Sequence, residues 1–441
     1  MRPDTAVTAV MAAADEVRPW QEDLYRDLHR NPELSHQEHR TAAAVADRLG
    51  RAGFAVTTGV GGTGVVGILR NGDGPAVLLR ADMDALPVKE DTGLAYASTA
   101  VGTPVGADTA GPVMHACGHD MHTTCLLGAA QLLADGEKHW RGTLITVFQP
   151  AEETIDGARG MVADGLAALT GPVDVALGQH VAPLPAGRLS AVAGPALAGA
   201  ASIRVTVYGR GGHASMPQTT VDPVVLAAAI VLRLQGVVAR EIDPGEAAVL
   251  TVGSVHAGTK ANIIADRAEL LINIRFYSQA TRSALLAAIR RIVTAECAAS
   301  GCPREPDIDI CEEAPLTDND AAVTARVTEA FAGALGEGVM IDPPKVLGSE
   351  DFSDLARGVD APYSFWLFGG TDPQTYRAAE AAGRVAEEIP VNHSPRFAPV
   401  IQPTLDVGTT ALVVAALAWL ASNQPPAPEI QSGDPRARLS G

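Results

Sequence analysis

The chain has 441 residues, 33 of them basic and 51 acidic, for a formal net charge of −18. So acidic a balance argues against a nucleic-acid or anionic-membrane partner, because both need a basic face. Hydrophobic residues at 47% and charged residues at 19% describe a globular chain rather than a disordered one. Its length suits about two or three domains.

Five cysteines (Cys117, Cys125, Cys297, Cys302 and Cys311) are too sparse and odd in number for a disulfide framework. A reducing, cytoplasmic setting is expected. The opening "TAVTAVMAAAD" is apolar, but only Arg2 precedes it and Asp4 breaks the charge pattern of a signal peptide. Near the other end, "TTALVVAALAWLA" falls short of the ~20 residues that span a bilayer and reads as a buried helix. The Pro-rich stretch after it predicts a disordered tail over 425–441.

"RTAAAVADRLGRAGF" reads as an amphipathic helix closed by Gly53. "PAVLLRAD", "GTLITVFQP" and "VDVALGQH" are short apolar runs of the kind that form strands covered on both faces. Between them "TTCLLGAAQLLAD" predicts a helix with Asp120 as N-cap. This is the rhythm of an α/β sheet flanked by helices. From about Ala201 the order becomes β-α-β-β-α-β, that of a four-stranded ferredoxin-like unit. Pro223 sits in the first turn of its first helix. The unit, expected over 199–311, is read as an insertion between the two parts of a larger domain, 1–198 and 312–424. The larger domain resumes near "TDNDAAVTARVTEAFAGAL", has a strand at "YSFWLF", and ends in the apolar helix.

Three predicted strands of the larger domain end in chemically able residues: Arg80, Asp82 and Asp84; Glu152 and Glu153; and His180. Open α/β sheets bind ligands beyond the carboxyl ends of their strands, so these runs converge on one crevice. "MHACGHDMH" adds Cys117, His119, Asp120 and His122, and "VNHSPRF" adds His393. Singly, each has a plainer explanation: a cap or turn for Asp82, a structural histidine at His180, a solvated surface pair for Glu152 and Glu153. Together they would require several unrelated coincidences at one sheet edge, so a metal site is the better account. A hydrolytic metal pair needs nitrogen, carboxylate and thiolate donors with a position left for water. Residues two apart in extended chain face the same way, so Cys117 and His119 can both point inward. Adjacent Glu152 and Glu153 point apart, which leaves one free to bind metal and the other to move protons. A thiolate donor selects transition metals over magnesium or calcium. His115 and His122 are left over, His115 as a supporting or structural group.

The motifs "RADMDALPV", "MHACGHDMH", "FQPAEE", "GRGGHASMP", "GSEDFS" and "HSPRF", in this order and across nearly the whole chain, resemble the di-metal aminoacylase and carboxypeptidase family. The nearest branch holds hippurate hydrolase and the indoleacetyl-amino-acid hydrolases. The resemblance implies a mixed-sheet, zinc-exopeptidase-like α/β catalytic domain with an inserted ferredoxin-like lid. It implies Cys117, His119, Glu153, His180 and His393 as ligands of two divalent transition-metal ions (manganese, zinc, cobalt or nickel), with Cys117 bridging. It implies Glu152 as general base. Asp82 matches an aspartate that steadies a ligand in sister branches, while Arg80 stands where those branches place a metal histidine. His213 matches the group that stabilises the oxyanion, in relatives often supplied by a partner subunit. Asn262 and Arg275 match contacts to the substrate carboxylate or carbonyl. A loop histidine, a loop amide and a solvated strand arginine are the plainer readings of these three.

Two segments depart from the family pattern: "TAVGTPVGADTAGPV" is longer than in the simplest relatives, and "TIDGARGM" lacks the fuller glycine cluster. The expected activity is cleavage of the amide bond in small N-acyl amino acids by a homodimer formed through the lid. A dipeptidase or another deacylase of the family is the alternative, and a metal-dependent binding protein without catalysis is the alternative from another class.

Overall fold

The computed structural model describes residues 3–342 and 347–421; the tail expected at 425–441 lies outside the described residues. The larger sheet has seven strands in the order Ala55–Val60, Gly64–Asn71, Gly142–Gln149, Ala76–Asp82, Val175–Pro185, Tyr363–Thr371 and Leu189–Ser190. Its centre is parallel: Ala76–Asp82 pairs in parallel with Gly142–Gln149 and Val175–Pro185, and the latter with Tyr363–Thr371. The outer strands run antiparallel, so the sheet is mixed.

Alternation along the central strands feeds two cores. Val77, Leu79, Leu144, Phe148, Val175 and Leu177 pack on one face with the helices Ala14–Arg30, His39–Arg51, His119–Asp135 and Ile401–Leu420. Leu78, Ile145, Val147 and Ala176 pack on the other with the short helices Gly157–Ala163, Leu166–Thr170 and Phe352–Gly358. Burial on both faces explains why these strands read as continuous apolar runs.

The second unit is a four-stranded antiparallel sheet in the order Ala248–Ala257, Arg267–Phe276, Gly199–Tyr208, Asp307–Ala314. Helices Pro223–Glu241 and Gln279–Ala299 cover one face, where Ile203, Val205, Leu270, Ile272 and Ile274 meet Ile230, Leu234, Leu285 and Ile289. The other face carries the polar alternates, among them Ser202 and Asn273. Its last strand continues to Ala314, past the expected boundary at 311.

Several local expectations need correcting. The helix of the "HACGHD" segment begins at His119 with Gly118, at φ 84°, in the cap position, so Asp120 lies inside the first turn rather than at the cap. The strand expected to stop at His180 runs on to Pro185, because Tyr363–Thr371 keeps pairing with it. The C-terminal helix spans Ile401–Leu420, longer than the apolar run that predicts it, and is one of two described helices long and apolar enough to cross a membrane. Here it is a core element, buried continuously from Ala411 to Leu420.

That helix reaches the sheet at Gly408. A Cβ there would lie 2.7 Å from Cys125 Sγ and 2.9 Å from a Phe368 ring carbon, and the Gly408 carbonyl accepts the Gln179 amide at 3.0 Å. Overpacking of this kind typically costs about 1–3 kcal/mol. Gly408→Ala is therefore expected to lower the stability measured in urea by that amount with the unfolding slope unchanged; wild-type stability would show that the helix can slide.

Candidate active site

The site forms where the parallel strands end. Arg80 and Asp82 lie on Ala76–Asp82, and Asp84 follows them. Gln149 ends its strand and delivers Glu152 and Glu153 through Ala151, which has φ 51°. His180 comes from the neighbouring strand, and His393, at φ 70°, from the loop ahead of the C-terminal helix. Cys117 and His119 flank Gly118, where a Cβ would stand 2.3 Å from Val181. Glycine is thus required both for the left-handed backbone and for the close approach.

Each donor is oriented by a partner behind it. His119 turns Nδ1 to Asp84 at 3.1 Å, and the same carboxylate accepts the Ser35 hydroxyl and the Glu153 backbone N–H. His119 Nε2 is buried without a hydrogen-bond partner, 3.7 Å from Asp82 and 3.8 Å from both Glu152 and Glu153. His180 donates Nδ1–H to the Val181 carbonyl, which turns Nε2 toward Cys117 Sγ at 3.5 Å. His393 lies 3.3 Å from Glu153, its backbone N–H bonded to the Ala116 carbonyl. The neighbouring Asn392 amide donates to the Cys117 and Val181 carbonyls. Cys117, Glu153 and His393 place donor atoms within 4.8 Å of one another, as do Asp82, His119, His122 and His180.

His122, given no role by the sequence, is at the centre of this arrangement. Its Nδ1–H donates to Asp82 at 2.5 Å and its Nε2 accepts the Val181 N–H at 2.7 Å. Both nitrogens are used, so His122 belongs to the cluster as a strut rather than a donor. His115 is buried with neither ring nitrogen bonded, and burial pushes its pKa down to about 4.

Beneath the donors lies Arg80, fully buried. It bonds the Gln149 side chain at 2.9 Å, Asp82 at 2.7 Å, Glu350 at 2.7 Å and Asp351 at 3.3 Å. Glu350 and Asp351 come from the "GSED" motif, which carries the family resemblance without announcing this job. Glu152 is grouped with both. Burial, then Glu350 and Glu153, hold its carboxyl well above the usual range, against the pull of His119. Burial and Glu153 push the Cys117 thiol up, opposed by the nearby imidazoles of His119 and His393. His393 rises to about 10 through its contacts with Cys117 and Glu153. Carboxylates outnumber the one arginine, and His119 Nε2 and Glu153 Oε1 are buried without partners. Thiolate, imidazole and carboxylate donors around such a deficit of positive charge fit divalent transition metals.

The cavity above is about 720 Å³, and Cys117, Glu152, Glu153, His180 and His393 lie in its wall. Arg275 also lines it, bonded to Ser349 at 2.7 Å. His213 and Asn262 do not line it. They lie together at the far end of the inserted unit, in and beside the two-residue ladder that pairs His213 with Ile263, where the Ala214 N–H bonds the Asn262 carbonyl.

A buried triad braces the site from behind: His29 bonds Asp120 at 2.7 Å and Glu90 at 3.1 Å. Burial alone would lower the His29 pKa, but the two carboxylates raise it to about 9. Because this exceeds the ordinary value near 6.5, its contribution to stability is full below about pH 6.5 and is lost as pH rises through about 9. Unfolding by denaturant should show a fall of up to about 3 kcal/mol between about pH 6.5 and 9.5 that is absent in His29→Gln. An equal fall in the variant would remove the triad as its source.

Residues 78–393 match the model of peptidase family M20/M25/M40. The chain is 36% identical to IAA-amino acid hydrolase ILR1-like 2 of Arabidopsis thaliana, over 82% of this chain and 79% of that protein. It is 37% identical to thermostable carboxypeptidase 2 of Saccharolobus solfataricus, over 79% of this chain and 86% of that protein. Its fold superposes, with a TM-score of 0.73 and 28% identity, on the Bacillus subtilis YXEP protein, a dinuclear metal binding peptidase from the M20 family. That match covers 91% of this chain and 98% of the other.

Proposed function

The chain belongs to peptidase family M20/M25/M40 and is a metal-dependent amide hydrolase; we propose that its substrates are N-acyl amino acids and that Glu152 is its general base. The observation that carries this reading is the convergence of Cys117, Glu153, His180 and His393 with buried Glu152 in the wall of one cavity, with His119 buried against Glu152 and Glu153. Two divalent transition-metal ions held by these five donors would supply Lewis acidity and bring the pKa of water toward neutrality. Cys117 stands with Glu153 and His393 on one side and His180 on the other, which supports the reading that its thiolate would serve both ions.

Glu152 then takes the proton of the attacking water and returns it to the leaving amine. Its burial, and after that the neighbouring Glu350 and Glu153, favour the protonated form it must reach midway. Asp82 acts as a positioning residue: with one oxygen on Arg80 and the other on His122, it holds the strut behind His180. Arg275 receives the substrate carboxylate. The cavity wall includes Ile155, Leu184, Leu197, Leu367, Val385 and Val391, an apolar lining suited to a bulky acyl group. A carboxypeptidase among the relatives makes short peptides the competing substrate class, while the intact Glu152 speaks against a purely binding role.

His213 stands away from its own chain's cavity, so in this reading it stabilises the oxyanion of a partner's site within a homodimer. The exposed Val225 and Leu232 on helix Pro223–Glu241 support an interface on the inserted unit. The sparse, odd-numbered set of five cysteines supports a cytoplasmic setting in this reading.

Glu152→Gln should bind metal as wild type does yet lose at least about 10²–10⁴ in kcat on N-acyl amino acids; retained turnover in the metal-replete variant would remove the base assignment. His213→Ala should keep its metal and lose about 10²–10³ in kcat. Mixing the two inactive variants should restore activity, since mixed dimers contain one intact site. No recovery on mixing, with exchange of subunits verified, would place His213 in its own chain's site.

A further inference from the structure

The turn that carries Glu152 and Glu153 is held from behind by a segment far upstream, residues 35–38. Glu38 Oε1 accepts the Ala151 N–H at 2.9 Å and the His36 N–H at 3.0 Å, and the other Glu38 oxygen accepts the Thr63 hydroxyl. Ser35 donates to Asp84 at 2.7 Å, and the same Asp84 oxygen accepts the Glu153 N–H at 3.0 Å. His36 Nε2 lies 3.0 Å from the Asp156 carboxylate. The backbone N–H groups of the residues before and after Glu152 are thus both taken by buried carboxylates.

Glu38 occupies the cap position of helix His39–Arg51, yet its side chain makes no cap bond. Binding the free N–H groups of the first turn is the usual work of a polar side chain there. Glu33 does it instead, accepting the Arg40 and Thr41 N–H groups at 2.8 Å each. Glu38, fully buried, is left to span Ala151 and Thr63. Ala151 is also fully buried and has φ 51°, a left-handed conformation that a residue other than glycine keeps only where its surroundings enforce it. Its side chain is a methyl group, so the enforcement comes through its backbone: the N–H bonds Glu38, and the carbonyl accepts the Gly157 N–H at 3.1 Å.

Resting on the reading of Glu152 as general base, we propose that Glu38 is a positioning residue: by holding Ala151 and Thr63 at once, it sets the direction from which Glu152 enters the cavity. Glu38 itself does not line that cavity and acts only through the turn. The role depends on the length of the side chain and on an acceptor facing the Ala151 N–H, and not on the charge. A misplacement of about 1 Å at a reacting group can cost about 10²-fold in rate.

The test measures kcat, KM and metal content of manganese-loaded Glu38→Gln, Glu38→Asp and Glu38→Ala on one N-acyl amino acid, with Glu152→Gln alongside. Glu38→Gln keeps the reach: its amide oxygen can take the Ala151 and His36 N–H groups while its amide nitrogen donates to the Thr63 hydroxyl. Its kcat should stay close to wild type. Glu38→Asp keeps the charge but is too short to span both partners, and it and Glu38→Ala should lose about 10–10² in kcat with KM and metal content unchanged. Should Glu38→Ala fail to fold, the contrast between the other two decides. A Glu38→Gln no more active than Glu38→Asp, or metal loss in Glu38→Asp that accounts for its lost turnover, would overturn the proposal. An inactive Glu152→Gln beside a fully active Glu38→Asp removes the role of Glu38 alone. Turnover retained in Glu152→Gln removes the base reading and this inference with it.

Discussion

One guanidinium holds the floor of this site together. Arg80 is taken entirely out of water and satisfied by Gln149, Asp82, Glu350 and Asp351, which come from two adjacent strands and a loop far along the chain. A buried charge of this kind is tolerated only when its partners are all in place, and removing it leaves carboxylates unpaired at a cost of about 3–5 kcal/mol. Through Asp82 the constraint passes to His122, and from His122 to the backbone at Val181 beside His180. Through Glu350 and Asp351 it reaches Glu152. The positions of the candidate donors and of Glu152, the proposed base, thus share one anchor.

The same crowding that needs Arg80 also explains why the site suits metal ions. Glu152, Glu153, Glu350, Asp351, Asp82 and Asp84 gather around one arginine, with the buried tip of His119 turned toward three of them. Burial, and after it repulsion from Glu350 and Glu153, raises the Glu152 carboxyl. Divalent ions would relieve that repulsion and draw Cys117 and the histidines into their unprotonated forms. Structure and chemistry here have one electrostatic cause.

Much of the fold is legible in the sequence because its signals are local. Strands buried on both faces announce themselves as apolar runs, and the β-α-β-β-α-β order of the inserted unit follows from alternation and helix period alone. The residues that converge on the site are legible through their motifs. What escapes depends on partners distant in sequence: nothing near Glu350 or Asp351 reveals that they meet Arg80, and nothing near His29 reveals Asp120. A histidine in a donor-rich motif reads as ligand or spare, whereas the two hydrogen bonds of His122 make it a strut. Asp120 resembles a helix cap because the left-handed Gly118 that occupies that position leaves no signal except the glycine itself. His213 and Asn262 belong to motifs that say nothing of where the inserted unit carries them.

That Cys117, His119, Glu153, His180 and His393 form one two-metal centre driving amide hydrolysis is tested most directly by elemental analysis of the purified protein alongside turnover of an N-acyl amino acid. Wild type and Cys117→Ser are compared. The expected result is about two transition-metal ions per chain in wild type, with metal content and turnover falling together when the bridging thiolate is lost. Full hydrolysis by metal-free protein, or two tightly held ions and undiminished turnover in Cys117→Ser, would contradict it.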